Sequence, residues 1–147
     1  MHDIEIKIIN TSQNQTPEYA TAGASGFDLR AHLQESILLM PMERQLVPTG
    51  IFIEIPLGFE GQVRPRSGLA IKHGITCVNS PGTVDSDYRG ELKVILINLS
   101  NEDFLINNGD RIAQMVVCKV ERALLINTNE LEATERGKGG FGHTGIS

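Results

Sequence analysis

Short apolar runs, interrupted at regular intervals by glycine and proline, constrain the fold of this chain more than any other feature. Near the start, Ile4, Ile6 and Ile8 alternate with charged residues, which is typical of a half-buried strand. Further runs predict strands at 27–31, 36–40, 45–55 (with a bend at Pro48 and Gly50), 59–64, 75–78, 91–99, 104–106 and 111–120, with one more candidate at 124–126. Strands of this length and spacing indicate an all-β sandwich or barrel.

Only one segment favours a helix, from Pro65 to Gly74, and it is one or two turns long. Ser67 is a candidate N-cap because its hydroxyl can accept a hydrogen bond from an unpaired backbone N–H. Gly74 can end the helix in the left-handed conformation. The chain shows no internal repeat and no linker, so residues 1–147 are expected to form a single domain.

Composition narrows the possible partners and the cellular setting. A net charge of −5, without any run of Lys and Arg, argues against duplex nucleic acid. Cys77 and Cys118 each lie in an apolar run, so we expect two buried free thiols and no disulfide or metal pair. The N-terminal residues hold no apolar stretch long enough for a signal peptide or a membrane span, so the expected location is the cytoplasm, without a membrane partner.

The stretch from Gly82 to Leu92 carries more polar side chains than a turn requires. Turn residues between two strands ordinarily form only a hairpin. This stretch adds two acids, a tyrosine and an arginine, and its first acid, Asp85, resembles the start of a calcium loop. A calcium loop is excluded because Arg89 occupies its fifth position and Leu96 its twelfth. The hairpin is therefore a candidate ligand site.

Two further segments each allow two interpretations. Residues 136–145 hold five glycines, and they form either a flexible terminus or a segment that folds over an anionic aromatic ligand. Their literal G-x-G-x-x-G match is not a dinucleotide-binding loop, because only five residues follow Gly142. Arg66 and Ser67, at the start of the helix, form either an ordinary turn or an anion site.

Five segments occur in a fixed order: 22–29 (AGASGFDL), 65–70 (PRSGLA), 82–91 (GTVDSDYRGE), 109–114 (GDRIAQ) and 136–142 (RGKGGFG). Together they closely resemble the five ordered motifs of the trimeric dUTPase family, the dUTP diphosphatases. The resemblance extends from about Glu18 to Gly145. It implies a distorted, jelly-roll-like β-barrel of the β-clip type with one short helix, assembled as a homotrimer whose active sites draw on all three chains. It also implies Mg²⁺-dependent hydrolysis of dUTP to dUMP and pyrophosphate.

The resemblance also implies roles for individual residues. Asp85 resembles the catalytic acid that activates the attacking water, and Tyr88 resembles the residue whose ring packs under the deoxyribose. Uracil and the rest of the nucleoside would be contacted by Asn79, Gly82, Thr83, Val84 and Lys93.

For the phosphates, the resemblance implies a cradle formed by Arg66, Ser67, Gly68 and Gln114. Asp28 resembles the acid that holds magnesium-bound water, so that no protein atom need touch the metal. The flexible tail, residues 132–147, would close over the site through Arg136, Phe141 and Gly142.

Two alternative functions remain open at this point. A dCTP deaminase has a related fold, but the glycine-rich tail and Tyr88 favour a diphosphatase. A non-catalytic nucleotide sensor could use the same scaffold, although the presence of Asp85 with all five motifs argues against it.

Overall fold

The chain forms a β-rich fold with a single short helix. In the computed structural model, which describes residues 3–146, there are ten strands and one helix. In chain order these are β1 (Lys7–Asn10), β2 (Gly26–Arg30), β3 (Ile37–Leu39), β4 (Arg44–Glu54), β5 (Phe59–Arg64), α1 (Ser67–His73), β6 (Ile75–Cys77), β7 (Gly82–Val84), β8 (Leu92–Asn98), β9 (Phe104–Ile106) and β10 (Arg111–Lys119). Met1, His2 and Ser147, which the single-domain prediction includes, lie outside the described residues.

The strands are arranged in three antiparallel sheets around one core. Two sheets have four strands each, in the orders β1-β4-β8-β6 and β2-β10-β5-β7, and β3 pairs with β9. Leu29 of the second sheet, Val94 of the first and Ile106 of the third are all essentially inaccessible to solvent and belong to the same apolar cluster. Within the described residues the sheets remain separate, so the barrel is distorted and jelly-roll-like, which confirms the predicted fold class.

The predicted bend in the longest strand is confirmed as a β-bulge. Pro48 of β4 pairs with Lys93 of β8, whereas Ile51 pairs with the adjacent Leu92, so β4 accommodates two extra residues. One of these, Gly50, has a φ of 70°, a left-handed conformation that glycine adopts without strain. Residues 48–50 are called the β4 bulge below.

The helix begins differently from the prediction. Its N-cap is Arg66, in an extended conformation, and no side chain caps it, so the assignment of Ser67 as the cap is wrong. Ser67 is already the first helical residue. The predicted C-terminus is correct, because Gly74 is left-handed and its N–H donates to the carbonyls of Ala70 and Leu69.

The chain after β10 also departs from the prediction. Residues 120–146 form turns but no helix or strand, so the candidate strand at 124–126 is wrong. Its residues have no neighbouring strand in the same chain, and Leu124 and Leu125 are 87% and 90% exposed. Cys77 is buried as expected, but Cys118 is only half-buried. No helix among residues 3–146 has the length and apolar character needed to cross a membrane.

Candidate functional site

Strand β10 brings together residues from three separate segments of the sequence. Gln114 of β10 lies opposite Asp28 of β2 on one side and opposite Arg64 of β5 on the other. The chain then leaves β5 through Pro65, whose carbonyl oxygen accepts a hydrogen bond from Gln114 Nε2 at 3.1 Å. As a result, Arg66 reaches back over β2, and its Nε lies 3.0 Å from Asp28 Oδ1.

A second arginine contacts the same carboxylate. Arg111 Nη1 lies 3.4 Å from Asp28 Oδ2, and Arg66 Nη1 donates to the carbonyl oxygen of Arg111 at 3.4 Å. Asp28, Arg66, Arg111 and Gln114 are called the Asp28 cluster below. Two guanidinium groups against one carboxylate leave an excess positive charge, and planar guanidinium groups suit phosphate oxygens.

The start of the helix lies beside this cluster. Ser67 and Gly68 follow Arg66 directly, and both are exposed. A methyl group placed on the Gly68 α-carbon would meet no atom within 4 Å, so the backbone here is open to an approaching group. These two residues therefore extend the Asp28 cluster with a hydroxyl and accessible backbone.

Strand β7 and the loop that follows it hold a second group of predicted site residues. The expected hairpin does not form, because β7 pairs with β5 whereas β8 pairs with β4 and β6. Gly82 and Val84 of β7 are buried against β5, where they pair with Val63 and Gly61, and Thr83 between them is exposed. The side-chain amide nitrogen of Asn79 lies only 3.0 Å from where a Cβ on Gly82 would stand. Glycine at position 82 thus permits the close approach of the Asn79 amide to the strand.

A turn after β7 holds the acid and the tyrosine. The Tyr88 N–H donates to the carbonyl oxygen of Asp85 at 3.1 Å, and the Tyr88 hydroxyl donates to the carbonyl oxygen of Glu91 at 2.9 Å. Arg89 Nη1 donates to the carbonyl oxygens of Ser86 and Tyr88, which fixes the outer side of the turn. The Asp85 carboxylate is exposed, and the Tyr88 side chain presents a ring that is 45% accessible.

The register of β5 and β7 separates these two groups. Val84 pairs with Gly61, so Asp85 lies beside Glu60, six positions before Arg66 along an extended chain. At about 3.3 Å per residue, the backbones of Asp85 and Arg66 are roughly 20 Å apart. Asn79, in contrast, lies at the same end of the strand pair as Arg66. The Asp85 backbone therefore lies well away from the Asp28 cluster of the same chain.

The tail, of which residues 132–146 are described, holds the third group of predicted site residues. Arg136 Nε donates to the carbonyl oxygen of Gly139 at 2.7 Å, and the other described hydrogen bonds of residues 132–146 also run within the tail. Phe141 is fully exposed and has a φ of 50°, followed by Gly142 with a φ of 83°. The tail thus presents a cation and an aromatic ring to solvent.

Two residues of these groups are not indicated by the sequence patterns. Arg111 pairs with Asp28, although its position in the segment GDRIAQ is a signal that could have identified it. Glu91 accepts a hydrogen bond from the backbone N–H of Gly50 in the β4 bulge, a contact that spans 41 positions and has no local signature. The predicted residue Lys93 is exposed, with its Nζ 3.7 Å from Glu91 Oε2.

Cysteine chemistry is excluded at Cys77. Burial raises the pKa of the Cys77 thiol to about 11, so the thiol stays protonated at neutral pH. A protonated, buried thiol is a poor nucleophile and a poor metal ligand. Cys77 is therefore a core residue and is not part of the candidate site.

Solved structures show which class of protein has this fold. The dUTPase of Staphylococcus bacteriophage 80alpha matches with a TM-score of 0.83 and 25% identity, over 95% of this chain and 98% of that one. A complex of that enzyme with dUpNHpp gives the same TM-score. The dUTPase of phage phi11 of S. aureus matches with a TM-score of 0.79 and 22% identity, over 88% of this chain and all of that one, in a structure that describes the coordination of a structural Mg(II) ion. The fold is thus that of dUTPases.

The sequence places the chain in the same family. The dUTPase family model matches residues 12–145, and the chain belongs to the dUTPase family. It is 59% identical over 140 residues to the deoxyuridine 5'-triphosphate nucleotidohydrolase of Cytophaga hutchinsonii, covering 95% of this chain and 91% of that protein. The protein of the same name from Treponema denticola is 63% identical over 131 residues, covering 89% of this chain and 91% of that protein.

Proposed function

We infer that this chain is a dUTP diphosphatase that hydrolyses dUTP to dUMP and pyrophosphate. The observation that carries this inference is its identity of 59% to a deoxyuridine 5'-triphosphate nucleotidohydrolase over 95% of the chain. Such an enzyme keeps uracil out of DNA and supplies dUMP for thymidylate synthesis. The Asp28 cluster, the residues of β7 and its following loop, and the tail would have different roles in substrate recognition and catalysis.

The Asp28 cluster would hold the triphosphate. Arg66 offers a guanidinium group that is already oriented by Asp28 at 3.0 Å, so little side-chain freedom is lost when phosphate binds. Ser67 and Gly68 would add a hydroxyl and backbone N–H groups, and Gln114 would add its amide. This arrangement fixes the phosphate chain so that the α-phosphorus faces the attacking water.

Asp85 would act as the general base. Water has a pKa of about 15.7, so it is a weak nucleophile without assistance. A positioned carboxylate typically contributes about 10²–10⁴-fold to the rate as a general base. The exposed carboxylate of Asp85, carried by a turn that is hydrogen-bonded to Tyr88, is suited to accept the proton of water. The remaining acceleration would come from charge neutralisation by Arg66 and Arg136.

Strand β7 and the loop after it would recognise the base and the sugar. A strand such as β7 offers backbone donors and acceptors at fixed positions next to Asn79, which can pair with uracil and leave the edge of cytosine unsatisfied. The methyl group of thymine would be excluded sterically. The Tyr88 ring, held by its hydroxyl against Glu91, would exclude the 2'-OH of ribose in the same way.

Magnesium is compatible with these residues as a substrate-bound ion. Among residues 3–146, no group of three or more His, Cys, Asp or Glu side chains could hold a metal ion directly. Mg²⁺ commonly keeps several waters and binds through substrate phosphates, so it does not need such a group. When bound, the ion neutralises charge on the phosphate oxygens. The Asp28 carboxylate, which is 32% exposed beside the two arginines, would accept hydrogen bonds from the water ligands of the ion.

A homotrimer with shared sites would complete the enzyme. Asp85 and Arg66 lie at opposite ends of the β5–β7 pair, so a site that uses both requires more than one chain. Several apolar side chains beyond β10 are also 78–90% exposed and lack a core to pack against: Leu124, Leu125, Ile126 and Leu131. We propose one domain per chain, with the tail 132–147 closing over a site between subunits, in the cytoplasm, where free thiols such as Cys77 persist.

Pyrophosphate release from a panel of nucleotides tests this function. The purified protein with Mg²⁺ should release pyrophosphate from dUTP much faster than from dCTP, dTTP or UTP. Release of ammonia from dCTP would instead show a deaminase. Tight binding of dUTP without any release would show a nucleotide sensor.

A further inference from the structure

Glu91 joins the loop between β7 and β8 to a part of the fold that is distant in sequence. Its Oε1 accepts a hydrogen bond from the backbone N–H of Gly50 at 2.9 Å, and its side chain is only 22% exposed. Gly50 lies in the β4 bulge, where the normal pairing of β4 with β8 is interrupted. The bulge leaves the Gly50 N–H without a hydrogen-bond acceptor on the partner strand, and the Glu91 carboxylate supplies that acceptor.

The β4 bulge is itself held firmly. The buried hydroxyl of Thr49 donates to the carbonyl oxygen of Leu92 at 2.6 Å, directly after Glu91. On the other side, the carbonyl oxygen of Gly50 accepts hydrogen bonds from the N–H and the hydroxyl of Thr11 at 2.8 and 2.9 Å. Because the bulge is fixed from both sides, it provides a rigid anchor for Glu91.

Tyr88 rests on the backbone next to this anchor. Its hydroxyl donates to the carbonyl oxygen of Glu91 at 2.9 Å. A Cβ on Gly90 would stand 2.5 Å from the Tyr88 hydroxyl oxygen, so the tyrosine lies directly against residues 90 and 91. Any displacement of Glu91 therefore moves the surface that supports Tyr88.

We propose that Glu91 is a positioning residue for sugar selection, which fixes Tyr88 by tying the loop between β7 and β8 to the β4 bulge. This inference rests on the proposed function, because it takes Tyr88 as the residue that contacts the sugar. Glu91 itself does not touch the substrate. Its loss should therefore affect the choice between deoxyribose and ribose more than it affects turnover of dUTP.

Kinetic comparison of two Glu91 variants gives the first test. Glu91→Ala removes the acceptor, so Tyr88 gains freedom to move aside for the 2'-OH of ribose, and the ratio of kcat/KM for dUTP to that for UTP should fall by about tenfold. Glu91→Gln keeps an oxygen for the Gly50 N–H and should retain most of the ratio. Glu54→Ala, at the far end of β4, removes an exposed carboxylate that pairs with Lys7 at 3.1 Å and should leave the ratio unchanged. An unchanged ratio in Glu91→Ala would overturn the proposal.

Gly90→Ala provides a second test of the support of Tyr88 if Glu91→Ala folds poorly. The added methyl group would push Tyr88 away while leaving the Glu91 carboxylate on Gly50. The selectivity of this variant for dUTP over UTP should therefore fall, as it should in Glu91→Ala. Full selectivity in Gly90→Ala would show that Tyr88 does not depend on this support, which contradicts the proposal.

A spectroscopic test separates this proposal from the proposed function. The chain contains two tyrosines and no tryptophan, so protein labelled with 3-fluorotyrosine should give two ¹⁹F resonances. The resonance of Tyr88 should shift or broaden in Glu91→Ala without any nucleotide, and stay in place in Glu91→Gln. Tyr19, which packs edge-on against Phe27 at 5.5 Å, serves as the internal reference. An unmoved Tyr88 resonance in Glu91→Ala would overturn the proposal whether or not the wild-type protein hydrolyses dUTP.

Discussion

Asp85 and Arg66 lie at opposite ends of the antiparallel pair formed by β5 and β7. Their backbones are about 20 Å apart along the strands, at roughly 3.3 Å per residue. In the proposed mechanism the first activates water and the second holds phosphate, so we propose that each site takes these two residues from different chains.

Mixed trimers should therefore regain activity from two inactive variants. Asp85→Asn and Arg66→Ala should each be nearly inactive alone, but co-expression of the two chains with different affinity tags should yield trimers with some intact sites. Hydrolysis of dUTP by the doubly purified mixture is the measurement. A doubly mutated chain co-expressed with wild type controls for dilution, and no activity above the parent variants in the mixed trimers would show that each site belongs to one chain.

Asp85→Asn on its own should separate binding from turnover. The amide keeps the size of the side chain but cannot accept the proton, so kcat should fall by about 10²–10⁴-fold. Affinity for the analogue dUpNHpp, measured by calorimetry, should change little. Asp87→Asn, two positions along the same turn, is the matched control and should keep most activity. Turnover of dUTP by Asp85→Asn at a rate near that of the wild type would rule out the general-base role.

Removal of the tail should impair catalysis without disturbing assembly. Truncation after Glu135 deletes Arg136, Phe141 and the glycines, all of which lie outside the sheets. The trimer should elute unchanged in size-exclusion chromatography, whereas kcat/KM should fall by at least about 100-fold because closure over the substrate is lost.

Tail closure can also be observed in the intact protein. Trypsin should cleave after Arg136 and Lys138 readily in the apo protein, since these side chains are exposed, and more slowly with dUpNHpp bound. Equal cleavage rates with and without the analogue would contradict closure.

Alkaline pH should destabilise the fold through Cys77. Burial raises the pKa of this thiol from its ordinary value of 9.0 to about 11. The unfolded chain therefore loses the thiol proton at lower pH than the folded chain does. The contribution of Cys77 to the free energy of unfolding is complete below pH 9 and is lost as pH rises to about 11, by about 3 kcal/mol in all. Urea unfolding of wild type and Cys77→Val across this range measures the difference. An equal slope in the wild type and Cys77→Val would refute the assignment.

The positions of most strands follow from local patterns, but the site depends on contacts that local patterns do not encode. Alternation and turn residues locate β5 and β9 without error, because a strand with one buried face requires them. The contact of Arg66 with Asp28 spans 38 positions and arises only because β10 lies between β2 and β5. Strand order is a property of the whole chain, so only the five ordered motifs, and not periodicity, indicated these two residues together.

The failed predictions have a similar cause. Residues 124–126 have the apolar character of a strand, but a strand also needs a neighbour, and the same chain offers none. Ser67 has the chemistry of an N-cap, but the extended conformation of Arg66 places the helix start one residue earlier. In both cases the sequence has the local preference for the predicted structure, but contacts elsewhere in the fold determine the conformation that forms.

Hydrolysis of dUTP in ¹⁸O-labelled water shows which phosphorus atom is attacked. We expect dUMP and pyrophosphate as the only products, with one ¹⁸O atom in the phosphate of dUMP, because the water activated by Asp85 attacks the α-phosphorus. Mass spectrometry of both products distinguishes the outcomes. Label in the pyrophosphate with unlabelled dUMP, or release of inorganic phosphate in place of pyrophosphate, would exclude the proposed attack on the α-phosphorus.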